Sequence, residues 1–138
     1  MTAEENKKLV LDHYEAFLHR RDDDAVRKQL AADFVDHEIP PGTPAGPEGA
    51  LQYRSMLLAA FPDLQVKIED IIAEGNRVAV RAVWTGTHRG TFAPMPLPPT
   101  NRTGQLSGMV FWRVHDGKLV ERWATLDRMG LYQQLTAK

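Results

Sequence analysis

An α+β fold, with helices packed on one face of a sheet, is the architecture that this sequence predicts. Apolar residues recur at helical spacing in the first half of the chain, whereas the second half contains four runs rich in Val and Ile. The runs are joined in pairs at Gly75-Asn76 and at Asp116-Gly117, and such two-residue turns are typical of β-hairpins. Helices followed by antiparallel hairpins are the element order typical of α+β proteins.

The first helix is predicted from its start signal. Thr2 followed by Glu5 matches a capping box, and the apolar residues behind it follow helical spacing, so we expect a helix over about residues 3–20. The acidic cluster Asp22–Asp24 supplies a turn and a cap for the next helix. A second, shorter helix is then expected over about residues 24–32.

A loop separates these two helices from the third. Residues 33–49 are rich in Pro and Gly, which favour turns over regular structure. Pro47 suits the first helical position, because its missing N–H would have no partner there, and it predicts a helix over about residues 47–60. A last short helix is predicted over about residues 128–135.

The second half of the chain is predicted to form two hairpins. The first joins residues 64–74 to residues 77–88, and the second joins residues 104–115 to residues 118–127. A Pro-rich loop over residues 93–103 separates them.

The turn of each hairpin sets a register. With Asp116-Gly117 as the turn, Trp112 faces Glu121, and in the first hairpin Asp70 faces Arg81. Strict alternation then places both carboxylates and two Trp residues of the second hairpin on its more apolar face. That face holds Leu106, Gly108, Val110, Trp112, Val114, Leu119, Glu121, Trp123, Thr125 and Asp127.

Composition narrows the class of protein. The chain has 138 residues, a net charge of −1 and no cysteine. One domain over residues 1–138 is expected from this length. The balanced charge argues against nucleic-acid and membrane partners, and the lack of cysteine excludes disulfides and thiol catalysis. The N-terminal MTAEENKK has no apolar core of a signal peptide, so a cytoplasmic location is expected.

Two carboxylates on the predicted core face are candidates for chemistry. Glu121 and Asp127 are six residues apart. They would lie roughly 20 Å apart on a straight strand, too far for a glycosidase pair, which needs roughly 5 to 9.5 Å. Asp127, at the strand end, is a candidate general acid/base, and equally a candidate cap for the following helix. Glu121 is a candidate to line a pocket or to pair with a buried arginine such as Arg54 or Arg81.

Two of the five histidines are candidates to line a cavity mouth. His37 is followed by the flexible loop, and His88 lies at a strand end bounded by glycines. No pair of histidines has the i, i+4 spacing of a helical metal site, and Asp36-His37-Glu38 is a weak metal pattern.

Several short segments, taken in order, resemble one protein family. They are FPDL at residues 61–64, GTHRG at 86–90, PPT at 98–100, and a spaced pattern of DGK, E, W, D, Q and L over 116–135. Together they resemble the SnoaL-like polyketide cyclases of the nuclear transport factor 2-like superfamily. The resemblance implies a cone-shaped, curved antiparallel sheet with three N-terminal helices packed on its concave face.

The resemblance also implies chemistry that uses no metal or cofactor. A cyclase of this kind closes a ring by an intramolecular aldol condensation, with Asp127 as the acid/base. Val110 stands where the cyclases carry an assisting histidine, and His88 is the candidate to take over that role. The residues expected to contact a small apolar or polyketide-like substrate are His37, Trp84, Trp112, Trp123, Glu121 and Arg81.

Other functions remain open on the same fold. One is a binding module that holds a small molecule without chemistry, and another is a related dehydratase or epoxide hydrolase. The epoxide hydrolases use an Asp-Arg-Asp set, for which Asp70, Arg81 and Asp127 offer the residue types. The resemblance further implies a homodimer formed through the exposed face of the sheet.

Overall fold

The chain forms four α-helices and five strands, and the computed structural model describes all residues, 1–138. The helices are α1 (Ala3–Tyr14), α2 (Asp23–Gln29), α3 (Pro47–Ala60) and α4 (Arg128–Thr136), and a π-helical segment, Glu15–His19, continues α1. The strands are β1 (Leu30–Asp36), β2 (Gln65–Glu74), β3 (Arg77–Thr87), β4 (Thr103–His115) and β5 (Lys118–Leu126). The predicted α+β class is confirmed.

The strands make one curved sheet in the order β1-β5-β4-β3-β2. The hairpins β2–β3 and β4–β5 are antiparallel, as predicted, while β1 runs parallel to β5 and makes the sheet mixed. The predictions of helix and loop over residues 30–36 were wrong. Leu30 pairs with Leu119, a partner far away in sequence, so tertiary pairing overrides the local helical spacing there.

The start signals of the helices act as the sequence predicted. The Thr2 hydroxyl accepts the Glu5 N–H at 3.1 Å, and the Glu5 carboxylate accepts the Thr2 N–H at 3.1 Å, which completes the capping box. Asp22 caps α2 through the Ala25 N–H at 3.1 Å. Pro47 is the first residue of α3.

A β-bulge in the second hairpin overturns the predicted register. His115 pairs with Lys118 and Val114 with Leu119, but Arg113 pairs with Glu121, so Val120 is an extra residue in β5. Beyond the bulge every β5 side chain changes face relative to strict alternation. Trp112 therefore pairs with Arg122 rather than with Glu121.

The first hairpin decides which face of the sheet is the core. Asp70 pairs with Arg81, as predicted, and both lie on the outer face. The other face of β3 is buried at Val78, Val80, Ala82 and Trp84. A second bulge, between Ile68 and Asp70, places Val66 and Ile68 on the core face, whereas strict alternation would put them on the same face as Asp70.

One hydrophobic core lies between the concave face of the sheet and the helices. Helix α1 packs on β2 and β3, α2 packs on β5, and α3 packs on β1, which confirms the packing predicted for the three N-terminal helices. The most deeply buried side chains of this core include Val10, Val26, Val78, Val110 and Leu119. None of the four helices combines the length and the apolar character needed to cross a membrane.

Candidate functional site

Two small cavities adjoin inside the core, and we name each after the helix beside it. The α4 chamber, about 70 Å³, is lined by α3, β3–β5, α4 and the loop carrying Phe92 and Met95. The α1 chamber, about 60 Å³, is lined by α1, α3 and the strands β1, β3, β4 and β5. Both volumes are below the roughly 300–1,000 Å³ of sites for drug-sized ligands, so a ligand of that size requires side chains or the loop to move.

Four residues line both chambers: Tyr53, Leu57, Trp84 and Arg122. Three of them are large and apolar over most of their surface, and Arg122 brings a formal charge. A single ligand can therefore contact the same arginine from either chamber.

Arg122 and Asp36 form a buried ion pair. Their side chains are 12% and 8% exposed, and Nη1 of Arg122 lies 3.1 Å from both carboxylate oxygens of Asp36. The Asp36 carboxylate also accepts the Glu38 N–H at 2.9 Å. The guanidinium lies 5.5 Å above the ring centroid of Trp112, a cation–π contact. These contacts fix a cation in an otherwise apolar interior.

Electrostatics keep this group of side chains in defined protonation states. Burial alone would lower the pKa of Arg122, but Asp36, Tyr14 and Tyr53 outweigh it and raise that pKa. Burial raises the pKa of Tyr14 and of Tyr53, against the opposing pull of the nearby arginines. At neutral pH the cavity therefore presents a guanidinium cation and two neutral phenols.

A second ion pair lies beside the α4 chamber. Nη2 of Arg128, the first residue of α4, lies 2.5 Å from Oε1 of Glu38 in the segment after β1. The Arg128 side chain is half-buried and lines the chamber. The polar side-chain groups on the wall of the α4 chamber, those of Tyr53, Arg122 and Arg128, all carry hydrogen-bond donors, and the Tyr53 hydroxyl can also accept.

Two of the three predicted Trp contacts lie on the cavity walls. Trp84 lines both chambers and Trp112 lines the α1 chamber. Trp123 lies on the outer face instead. Its ring stacks on the His37 ring with the centroids 5.2 Å apart, and the Arg77 guanidinium lies 5.4 Å from the Trp123 ring centroid. The bulge at Val120 causes this difference, because it turns Trp123 away from the core.

Glu121 and His37 are brought together, but outside the cavities. Nε2 of His37 lies 2.6 Å from Oε2 of Glu121, and Nε of Arg113 donates to Oε1 at 3.0 Å. These two partners lower the pKa of Glu121. Its arginine partner is thus Arg113, and Arg54 pairs with Asp23.

Asp127 and Arg81 border a shallow groove on the outer face. The Asp127 carboxylate caps α4 by accepting the Gly130 N–H at 2.9 Å, the contact that the sequence offered as the alternative to catalysis. Asp70 also lies on the outer face, beside Arg81, but does not line that groove.

His88 is fully buried and lines neither chamber. Its Nδ1 accepts the Thr100 N–H at 3.2 Å, so Nε2 carries the ring hydrogen and has no partner. The ring stacks on Phe61 with centroids 5.4 Å apart. His88 therefore ties the loop over residues 93–103 to the end of β3.

The sequence did not single out Arg122, Asp36, Tyr14, Tyr53 or His13 as functional. Strict alternation places Arg122 on the face opposite to Trp112, and the bulge reverses that placement. Asp36-His37-Glu38 matches a weak metal pattern, but Asp36, the last residue of β1, reaches Arg122, whereas His37, just after the strand, reaches Glu121. The one usable signal was a charged residue, Arg122, inside the predicted strand next to Trp123.

Comparison with known proteins identifies the protein family of this chain. The profile of the SnoaL-like polyketide cyclase family matches residues 8–135. The chain belongs to the SnoaL-like polyketide cyclase family. A search of curated proteins finds no match.

Solved structures agree with this assignment. IdmH from Streptomyces antibioticus, a proposed polyketide cyclase, is 36% identical, with a TM-score of 0.80 over 94% of this chain and 97% of that one. AclR from Streptomyces galilaeus, a proposed hydroxylase, is 30% identical, with a TM-score of 0.79 over 97% of this chain and 82% of that one. TsrD from Streptomyces laurentii is 20% identical, with a TM-score of 0.87 over 100% and 99%, and shows the shared fold.

Proposed function

We propose that this protein is a cofactor-free lyase or isomerase that closes a ring by aldol-type chemistry on a small apolar or polyketide-like molecule. The observation that carries the proposal is the buried Arg122–Asp36 pair on the wall of an apolar cavity. Family membership and the likeness to IdmH support the reaction class. We also propose a cytoplasmic location and a single domain over residues 1–138.

The proposed reaction begins with a ketone whose carbonyl oxygen accepts hydrogen bonds from Arg122 and the Tyr53 hydroxyl. A carboxylate removes a proton from the adjacent carbon, and the enolate oxygen is stabilised by the fixed cation. The enolate carbon attacks a second carbonyl carbon of the same molecule, so a carbon–carbon bond forms and the alkoxide takes the proton back. Trp84 and Trp112 hold the chain folded, which makes the attack intramolecular.

Two carboxylates are candidates for the base. The family resemblance favours Asp127, with His88 as its assistant, whereas the cavity geometry favours Asp36, which faces the chamber. Asp127 borders the outer groove with Arg81, so its role there requires a substrate that binds outside the two chambers. The predicted substrate contacts from His37, Glu121 and Trp123 also require a substrate on the outer face, because these side chains lie there.

The experiment compares wild type with Asp36→Asn and Asp127→Asn, using 2,6-heptanedione as the probe. Exchange of its α-protons in D₂O, followed by NMR, reports the base, and formation of the cyclic β-hydroxyketone reports ring closure. We expect wild type to exceed buffer in both, and loss of the true base to lower the rate about 10²-fold or more. His115→Ala, at an exposed turn position, is the matched control and should leave both rates unchanged.

A non-catalytic binding module is the second candidate function, and the capping role of Asp127 favours it. It predicts that the diketone quenches Trp fluorescence with the same affinity in all variants while neither rate exceeds buffer. That result would reject the lyase proposal and keep the cavity as a ligand site.

We further propose that two copies of the chain associate through the outer face of the sheet. Ile72 on β2 and Met109 and Phe111 on β4 lie there, on either side of β3, and are 65%, 62% and 52% exposed. Exposed apolar side chains grouped in this way are typical of protein–protein interfaces.

A further inference from the structure

His13 is a buried polar side chain that the proposed reaction does not use. It lies on α1, is 4% exposed and lines the α1 chamber. Its ring is held edge-on to Trp112 with centroids 5.3 Å apart, and lies 5.4 Å from Phe17. The orientation of the imidazole is therefore fixed by packing.

The hydrogen bonds of His13 define which ring nitrogen carries the proton. Nδ1 lies 2.9 Å from the carboxamide oxygen of Gln29. A carbonyl oxygen only accepts, so Nδ1 donates and Nε2 holds a lone pair. No protein group hydrogen-bonds to Nε2. Burial lowers the pKa of His13 to about 4, so the imidazole is neutral at pH 7.

The other polar groups around the cavity differ from this lone pair. Tyr53, Arg122 and Arg128 present donors to the α4 chamber. The carboxylate of Asp36, a candidate base of the proposed reaction, accepts hydrogen bonds from Arg122 and from the Glu38 N–H. His13 lines the α1 chamber, and its Nε2 is an acceptor that no protein donor occupies.

We propose that His13 is a specificity-determining acceptor, whose Nε2 binds a hydroxyl or enol O–H at one end of the ligand while Arg122 and Tyr53 bind a carbonyl oxygen. This rests on the proposed function, because it assigns a substrate class to the same cavity. The ligand is an apolar molecule with a hydrogen-bond donor at the end directed to α1 and acceptors at the end directed to α4. An analogue with an ether in place of the hydroxyl leaves Nε2 unpaired and binds more weakly.

Phenol and anisole test this on wild-type protein carrying ¹⁵N-labelled histidine. We expect phenol to move the His13 Nε2 resonance from the free lone-pair position toward the hydrogen-bonded position, and anisole to leave it in place. Phenol should also bind about fivefold more tightly than anisole, the value of one neutral hydrogen bond. In His13→Phe the two affinities should become equal, while in the surface control His115→Phe the preference should persist.

Different failures point to different conclusions. Equal binding of phenol and anisole with no Nε2 movement overturns the role of His13 and leaves the proposed function standing. No binding of either probe in the chambers, read from Trp fluorescence, also overturns the role of His13, whereas the proposed function is overturned only if 2,6-heptanedione shows neither proton exchange nor ring closure above buffer. If His13→Phe does not fold, the wild-type NMR titration decides alone.

Discussion

His13 illustrates how a single side chain links burial to chemistry. Its neutral state follows from desolvation in the core, with the charge of Arg122 adding in the same direction, and its tautomer follows from Gln29. Because the ring is buried, its protonation costs free energy in the folded state. The neutral ring keeps the Nε2 lone pair that a ligand can contact.

The free energy of unfolding should therefore decrease as the pH is lowered through a range set by the pKa of His13. In the unfolded chain this residue binds a proton below its ordinary pKa of 6.5, whereas in the folded chain its pKa is about 4. The folded state is therefore destabilised relative to the unfolded state as the pH falls from 6.5 toward 4. We expect a loss of about 2 kcal/mol between pH 7 and pH 5. Urea unfolding at both pH values measures it.

The control is the same measurement on His13→Phe, which should lose most of this pH dependence. His115→Phe, at an exposed position, should keep it. A His13→Phe protein whose stability falls as steeply as wild type would show that other groups cause the effect.

Among the secondary-structure elements, the bulge in β5 determines which side chains of the strand face the cavity. One extra residue, Val120, directs Arg122 into the cavity and Glu121 and Trp123 to the outer face. The end of the same strand supplies the cap of α4. Gly130 lies so close to the Asp127 carboxylate that a Cβ there would collide with it.

Capping by Asp127 predicts a difference between two substitutions. Asp127→Ala removes the acceptor of the Gly130 N–H and should lower the free energy of unfolding by about 1 kcal/mol. Asp127→Asn keeps a good cap and should change stability by only a few tenths of that. Thermal unfolding of the two variants measures the difference.

This pair also separates stability from chemistry. An Asp127→Asn protein that is stable but inactive on the diketone would support the acid/base role implied by the family. Equal stability of the Ala and Asn variants would contradict the capping role.

For the whole molecule, the outer face of the sheet is the surface left after the helices cover the concave side. Its exposed apolar residues have charged residues beside them, including Arg81 next to Met109 and Arg113 after Phe111. Such a mixed surface, apolar at its centre with polar groups around it, is the pattern of a protein interface.

Phe111→Lys should dissociate the proposed dimer. A charge buried at the centre of the interface would be desolvated without a partner, so light scattering should report the 15.5 kDa monomer. Met129→Lys is the matched control, because Met129 is at least as exposed as Phe111 but lies on α4, away from the sheet face. A wild-type protein that is already monomeric would reject the interface.

The sequence by itself determined the α+β class, the helix starts at Thr2 and Pro47, and both hairpin turns. Each depends on residues close together in the chain, whose capping, turn and spacing preferences are local. The family resemblance rested on short segments of the same kind.

Only the tertiary structure decided β1, the face of β5 and the contents of the cavity. The pairing of β1 with β5 joins distant segments, and the bulge at Val120 has no residue signature in the strand. One residue of shift exchanges the two faces completely, so Glu121 and Trp123 could not be distinguished from Arg122 by counting. The Arg122–Asp36 pair, the basis of the proposed function, exists because both of these non-local events occur.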